Sequence, residues 1–143
     1  MTSYSSTLVK RFISKKAPLI LIVDDNEDNL LYISLILDTL NIKYFVAYDG
    51  ESALDLAKDK LPDLVLLDIV MPKINGMELT ALMKSSLLTG GIPIIATTGL
   101  TSPKHITAIN AAGFDDYIIK PFLIEDLEAK LKYFLKIKSV SSN

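Results

Sequence analysis

At 143 residues, half of them apolar, the chain is long enough for one domain with a proper core and too short for two. The absence of cysteine excludes a disulfide framework, a thiolate metal site and a cysteine nucleophile. A net charge of −2 argues against general nucleic-acid binding, and no apolar run approaches the ~18 residues needed to span a bilayer. With no secretory signal at the start, a cytoplasmic location is expected.

The charge is unevenly spread. Residues 1–17 carry Lys10, Arg11, Lys15 and Lys16 and no acid, which leaves the remainder at −6, eleven basic residues against seventeen acidic. Within this stretch Leu8, Val9, Phe12 and Ile13 recur at helical spacing with basic residues between them. A short basic amphipathic helix of this kind could touch a membrane or a partner. A loosely held tail fits better, because nine residues make a marginal helix. Residues 1–17 are therefore read as a flexible basic extension, with Pro18 as the boundary.

From there the chain alternates. Leu19–Val23 is an apolar strand ending in Asp24-Asp25, and Asn26–Leu40 a helix whose core stripe is Leu30, Ile33, Leu37 and Leu40. Tyr44–Ala47 is a second strand, followed after Tyr48-Asp49-Gly50 by a helix over Glu51–Lys60. Leu64–Leu67 reads as a strand buried on both faces that delivers Asp68 to its carboxyl end. Pro72 then prevents a helix from starting at once, and Asn75-Gly76 precedes a helix over Met77–Leu87. Ile92–Thr97 is a fourth strand ending at Thr98. Ser102 and Pro103 are an N-cap and a first-turn proline for a helix to Ala112, which Gly113 terminates. Asp116–Ile119 is a fifth strand ending in Lys120-Pro121, and the last helix spans about Leu123–Lys138. Five strands alternating with five helices predict an α/β, doubly wound parallel sheet, flavodoxin-like, in the order 2-1-3-4-5.

In that order the first and third strands are neighbours, so Asp24, Asp25 and Asp68 converge beyond their carboxyl ends. Crowded carboxylates repel, so either their pKa values rise or a cation sits among them. All-oxygen donors suit Mg²⁺ or Mn²⁺ over Zn²⁺. The other strand ends supply what phosphoryl transfer requires: a Thr98 hydroxyl for a phosphoryl oxygen and the Lys120 ammonium to pair with it. Between them, the Asp68 carboxylate could attack phosphorus and hold an acyl phosphate. Gly99 leaves space beside that group. Singly, each residue is also an ordinary strand-end or loop side chain. The order Asp-Asp, Asp, Thr, Lys-Pro, each at the end of its own strand, is what makes them specific.

These residues resemble the receiver domain of two-component response regulators. The resemblance is carried by Ile22-Val23-Asp24-Asp25-Asn26, Leu67-Asp68-Ile69-Val70-Met71-Pro72, Asn75-Gly76, Ile94-Ile95-Ala96-Thr97-Thr98, Ala111-Ala112-Gly113 and Asp116-Tyr117-Ile118-Ile119-Lys120-Pro121-Phe122. It covers residues 18–138 and leaves 139–143 as a C-terminal tail. It implies that Asp68 is the phosphoacceptor, fed by a histidine kinase or a histidine phosphotransfer protein. Asp25, Asp68 and the Val70 carbonyl would ligate Mg²⁺, with Asp24 acting mostly through water. Thr98 and Lys120 would read the phosphoryl group, and the Lys120-Pro121 bond would be cis. Tyr117 would be the switch aromatic, coupling the site to the face of the fourth helix, fifth strand and fifth helix, where a downstream protein docks. As a strand residue, Tyr117 is equally suited to half-buried packing. His105, the only histidine, is expected to be solvated. Two departures occur: Gly99 stands where alanine is frequent, and Asn75 precedes Gly76 where aspartate is frequent.

With only a short tail after the last helix and a net charge of −2, a stand-alone regulator with no nucleic-acid partner is expected, monomeric or weakly dimeric on phosphorylation. It would be no enzyme beyond its own phosphorylation and dephosphorylation. Two alternatives come from other classes. A haloacid-dehalogenase-like phosphatase also carries an Asp nucleophile at a strand end, but requires a second Asp where Val70 stands. A flavodoxin-like binding module requires a phosphate-cradling loop where Asp24-Asp25-Asn26-Glu27-Asp28 is acidic. Finally, Val70 and Leu100 flank the expected approach of a hydrolytic water, and neither can orient one, so a long-lived phosphoryl group is expected.

Overall fold

The computed structural model describes residues 17–71 and 74–136. The expected basic segment Leu8–Lys16, the Pro72-Lys73 dipeptide and the tail after Lys136 lie outside these residues. Within them the alternation of strands and helices is realised as β1 (Leu19–Val23), α1 (Glu27–Thr39), β2 (Lys43–Ala47), α2 (Gly50–Lys60), β3 (Leu64–Asp68), α3 (Gly76–Ser85), β4 (Ile94–Thr98), α4 (Pro103–Ala112), β5 (Asp116–Ile119) and α5 (Ile124–Leu135). The five strands form one parallel sheet in the order β2-β1-β3-β4-β5. Between β3 and α3, Val70–Met71 pairs antiparallel with Ile74–Asn75 in a two-residue ladder.

The apolar runs of the inner strands follow from burial on both faces. Every residue of β3 and of β4 is buried. The period of two divides their side chains between two layers. Ile20, Ile22, Leu64, Leu66, Ile95 and Ile118 face α1 and α5, where they meet Leu30, Ile33, Leu37, Leu127 and Leu131. Leu21, Val23, Val65, Leu67, Ile94 and Ala96 face α2, α3 and α4, packing with Ala53, Ala57, Leu79, Met83 and Ile109. Helix starts are where short polar side chains allow them. The Asn26, Asp49 and Ser102 side chains accept from the N–H groups of Asn29, Ser52 and His105. Gly113 ends α4 at φ 99°, a left-handed conformation that suits glycine.

Three boundaries differ by two residues or more from those read in the sequence. The fourth strand begins at Ile94, not Ile92, because the Ile92 N–H is drawn back to the Thr89 carbonyl and Pro93 has no N–H for a ladder. α3 stops at Ser85, short of Leu87, because hydroxyls capture its last carbonyls: Ser85 Oγ donates to Leu82 O and Thr89 Oγ1 to Met83 O. α5 ends at Leu135 on Lys136, which is left-handed at φ 54°.

The Asn75-Gly76 motif has a steric reason. A Cβ at Gly76 would lie 3.1 Å from both Cα and Cγ2 of Ile69, the residue directly after Asp68. α3 can start this close to the end of β3 only because residue 76 has no side chain. Gly76→Ala should therefore push Ile69 aside, and the overpacking outweighs the small propensity gain at a first helical position. The expected loss is about 1 kcal/mol in urea unfolding, with m unchanged; a variant as stable as the parent would remove the steric reading.

Candidate functional site

In a parallel sheet all carboxyl ends lie on one edge, and the connections leaving β1 and β3 diverge to opposite sides, which opens a crevice between them. Asp24 follows β1 directly and is only 1% exposed. Its backbone N–H still reaches the Ala47 carbonyl, while its Oδ1 accepts from the Asn26 N–H at 2.9 Å. Asn26 in turn caps α1, so one turn of chain both places the acid and starts the helix. Asp25 projects into solvent. Asp68 closes β3 and is 5% exposed. One carboxylate oxygen from each of Asp24, Asp25 and Asp68 lies within 4.8 Å of the others.

Lys120 reaches over from the end of β5. Its Nζ is 3.0 Å from Asp68 Oδ2 and 3.9 Å from Asp24 Oδ2. Its backbone N–H donates to Thr98 O, and the Lys120-Pro121 peptide is cis, as the resemblance implied. The Asp24 carboxyl is held above its ordinary value of 3.8, first because burial penalises the charge. The neighbouring Asp68 charge adds to this, while the Asn26 N–H, Lys120 and the Asn29 side chain oppose it. Above the group, Asp25, Asn26, Asn29, Asp68, Gly99, Leu100 and Lys120 line an open cleft of about 360 Å³.

The donor set fits a hard divalent cation. The cluster is all oxygen, it opens to solvent on the Asp25 side, and Asp24 Oδ2 is buried without a hydrogen-bond partner. Val70 follows in the short ladder.

Thr98 is fully buried, and its hydroxyl is engaged by its own loop: Oγ1 accepts from the Leu100 N–H at 3.0 Å and donates to the Leu100 carbonyl at 3.5 Å. Tyr117, paired with Ala96 in the register, is half-buried against the α2–α4 layer, the side of the sheet that Thr98 shares with Ala96. His105 is partly buried at the start of α4, its Nδ1 3.0 Å from Ser102 Oγ. It lies on α4, apart from the residues that line the cleft.

Sequence reasoning passed over Thr97. The register pairs it with Asp68 on one side and Ile118 on the other. It is 1% exposed, and its Oγ1 is buried without a hydrogen-bond partner. The signal was present as a second threonine, directly before Thr98, in an otherwise apolar strand.

Comparison with known proteins agrees with this geometry. The family model described as the response regulator receiver domain matches residues 20–132. The response regulator ArlR of Staphylococcus saprophyticus is 37% identical over 117 residues, which is 82% of this chain and 52% of ArlR. The chain thus spans about half the length of the curated relatives it matches. The structure of chemotaxis protein CheY4 of Vibrio cholerae superposes with a TM-score of 0.77 at 27% identity, covering 82% of this chain and 98% of that one. The receiver domain of sensor histidine kinase PA1611 from Pseudomonas aeruginosa, solved with a magnesium ion in its active site cleft, gives 0.79 at 27% identity, covering 85% and 99%.

The state of Asp24 makes stability depend on pH. Its folded pKa lies above the unfolded one, so its contribution is fully present below the unfolded value and is lost as pH rises through the folded value. In EDTA at neutral pH, Asp24→Asn should unfold later than the parent, by about 1–3 kcal/mol, and the difference should shrink toward acid pH. Urea titrations at pH 7 and pH 4 check this; an equal or less stable variant at pH 7 would contradict the burial argument.

Proposed function

The chain belongs to the response regulator receiver domain family, and from that premise we propose that Asp68 is the residue that accepts the phosphoryl group. Receiver domains of two-component systems are phosphoacceptor signalling domains, phosphorylated by histidine kinases. The observation that carries the residue assignment is the placement of Asp68 at the crevice. It sits 3.0 Å from the Lys120 ammonium, grouped with two further carboxylates and open to the cleft.

Each side chain then has a task. An Asp68 carboxylate oxygen attacks phosphorus in line with the departing donor nitrogen, and the electron pair of the breaking bond stays on the donor imidazole. Lys120 follows the charge from the carboxylate to the phosphoryl oxygens. The Thr98 hydroxyl exchanges the Leu100 backbone for a phosphoryl oxygen, and Tyr117, on the same side of the sheet, repacks in response. Asp25 and Asp68 with the Val70 carbonyl, and Asp24 through water, would hold Mg²⁺ or Mn²⁺. When bound, that ion neutralises charge between the carboxylates and the phosphoryl oxygens.

This reading makes residues 18–138 a signalling domain and not a turnover enzyme. Its donor is a histidine kinase or histidine phosphotransfer protein, and its output is a protein docked on the α4–β5–α5 face. It places the chain in the cytoplasm, as a monomer or a weak phosphorylation-dependent dimer. Among the described residues no helix is long and apolar enough to cross a membrane. Family membership favours neither the phosphatase nor the flavin-binding alternative.

Incubation with acetyl phosphate and Mg²⁺ should place one acid-stable, base-labile phosphoryl group on the parent and none on Asp68→Asn. Substantial labelling of that variant would sink the assignment. Mg²⁺ at a hundredfold excess over its dissociation constant should also raise the parent's stability by about 2.7 kcal/mol. The lifetime of the label follows from the flanking positions. If Val70 and Leu100 fail to orient water, the Val70→Asn, Leu100→Glu double variant should lose phosphate about ten- to a hundredfold faster than the parent, or 1.4–2.8 kcal/mol of barrier. Equal rates would show that the apolar flank has no influence.

A further inference from the structure

The side chains that flank Asp68 form a row. Successive residues of a strand alternate faces, and paired residues of neighbouring parallel strands share one. Leu66 and Ile95 are partners and both face α1 and α5; Leu67 and Ala96 are partners and both face the other layer. Asp68 and its partner Thr97 therefore lie on the α1–α5 side, as does Ile118, the partner of Thr97 on β5. On the other flank Val23 pairs with Leu67, which sets Asp24 beside Asp68. The row across the sheet is Asp24, Asp68, Thr97, Ile118, with Lys120 two residues past Ile118.

Among the described residues three buried side-chain oxygens lack a hydrogen-bond partner, and two of them, Asp24 Oδ2 and Thr97 Oγ1, belong to the residues that flank Asp68. An orphaned buried hydroxyl is unfavourable, and a strand interior offers it few ways out. The Thr97 backbone is committed to the ladder, and Ile118 on one side has no polar side-chain atom. The other side is the Asp68 carboxyl group, one strand spacing of ~4.8 Å away. In the resting arrangement Lys120 occupies Asp68 Oδ2 at 3.0 Å.

Resting on the assignment of Asp68 as phosphoacceptor, we propose that Thr97 is a positioning residue for it, whose hydroxyl donates to the Asp68 carboxyl group once Lys120 has turned to the phosphoryl oxygens. The donor matters most when the acyl phosphate breaks down. A water oxygen bonds to phosphorus, the bond from phosphorus to the Asp68 oxygen breaks, and its electron pair returns to the carboxylate. Inorganic phosphate leaves and the surplus proton passes to solvent. Negative charge thus grows on the Asp68 carboxyl group as the bond breaks, beside the Thr97 hydroxyl. A neutral hydrogen-bond donor there strengthens with that charge and eases the departure of phosphate.

The test compares parent, Thr97→Val and Thr97→Ser, each labelled with acetyl phosphate and Mg²⁺, then freed of donor and followed for loss of label. Thr97→Val, which keeps the shape and removes the hydroxyl, should hold its label three- to tenfold longer, or about 0.7–1.4 kcal/mol of barrier. Thr97→Ser, which restores a hydroxyl, should return toward the parent rate. In EDTA, Thr97→Val should be at least as stable as the parent, since it deletes an unpaired polar atom; packing alone would move stability and leave the decay rate where it was. Equal decay of Thr97→Val and parent, with labelling still confined to Asp68, would overturn the role of Thr97 and leave the phosphoacceptor standing. Labelling that survives in Asp68→Asn would remove both.

Discussion

The rest of the site depends on a charge imbalance held where water cannot relieve it. Asp24 and Asp68 end neighbouring strands and are almost fully buried, so their carboxylates face each other across a strand spacing. At ~4.8 Å and an effective dielectric of 20, two such charges repel by about 3–4 kcal/mol. Lys120, itself 23% exposed, is placed nearer Asp68 than Asp24. Burial first, and the Asp68 charge with it, hold the Asp24 carboxyl above its ordinary value, and the ammonium, farther from Asp24, only partly opposes them. On the proposed assignment of Asp68, such an arrangement would favour a cation at the cluster and the release of the lysine to a phosphoryl group.

Much of this was legible in the sequence, because the features that place the site are local. The four-residue apolar run before Asp68, the Asp-Asp ending of β1 and the Ser102-Pro103 start of α4 each rest on a rule of short range, and each stands where it was expected. Strand order then did the rest: once β1 and β3 are neighbours, Asp24, Asp25 and Asp68 have nowhere else to meet. The wider assignment of Lys120 was equally accessible, since a fifth strand must end on the same edge.

What escaped was decided by partners distant in sequence or by competing hydrogen bonds. Pro93 and the Thr89 carbonyl shorten β4, and a pair of hydroxyls shortens α3, none of which periodicity reveals. Leu61 and Lys136 adopt positive φ without being glycine or asparagine, so the usual signal for a left-handed helix end was missing there. Thr98 was recognised as a strand-end hydroxyl, but its present bonds to Leu100 depend on a loop whose conformation the strand does not dictate. Only the register shows which of two consecutive threonines lies beside Asp68.

That pair of threonines makes β4 a mechanical link between the two layers of the domain. An extended strand is nearly inextensible, so Thr97 and Thr98 move together although they address opposite sides of the sheet. Thr98 sits with Ala96 and Tyr117 over the α2–α4 layer, and Thr97 with Asp68 and Ile118 over the α1–α5 layer. On the proposed engagement of Thr98 by a phosphoryl group, a displacement of Thr98 along the strand would carry Thr97 with it, so the backbone of β4 would join the two layers like two teeth on one rack.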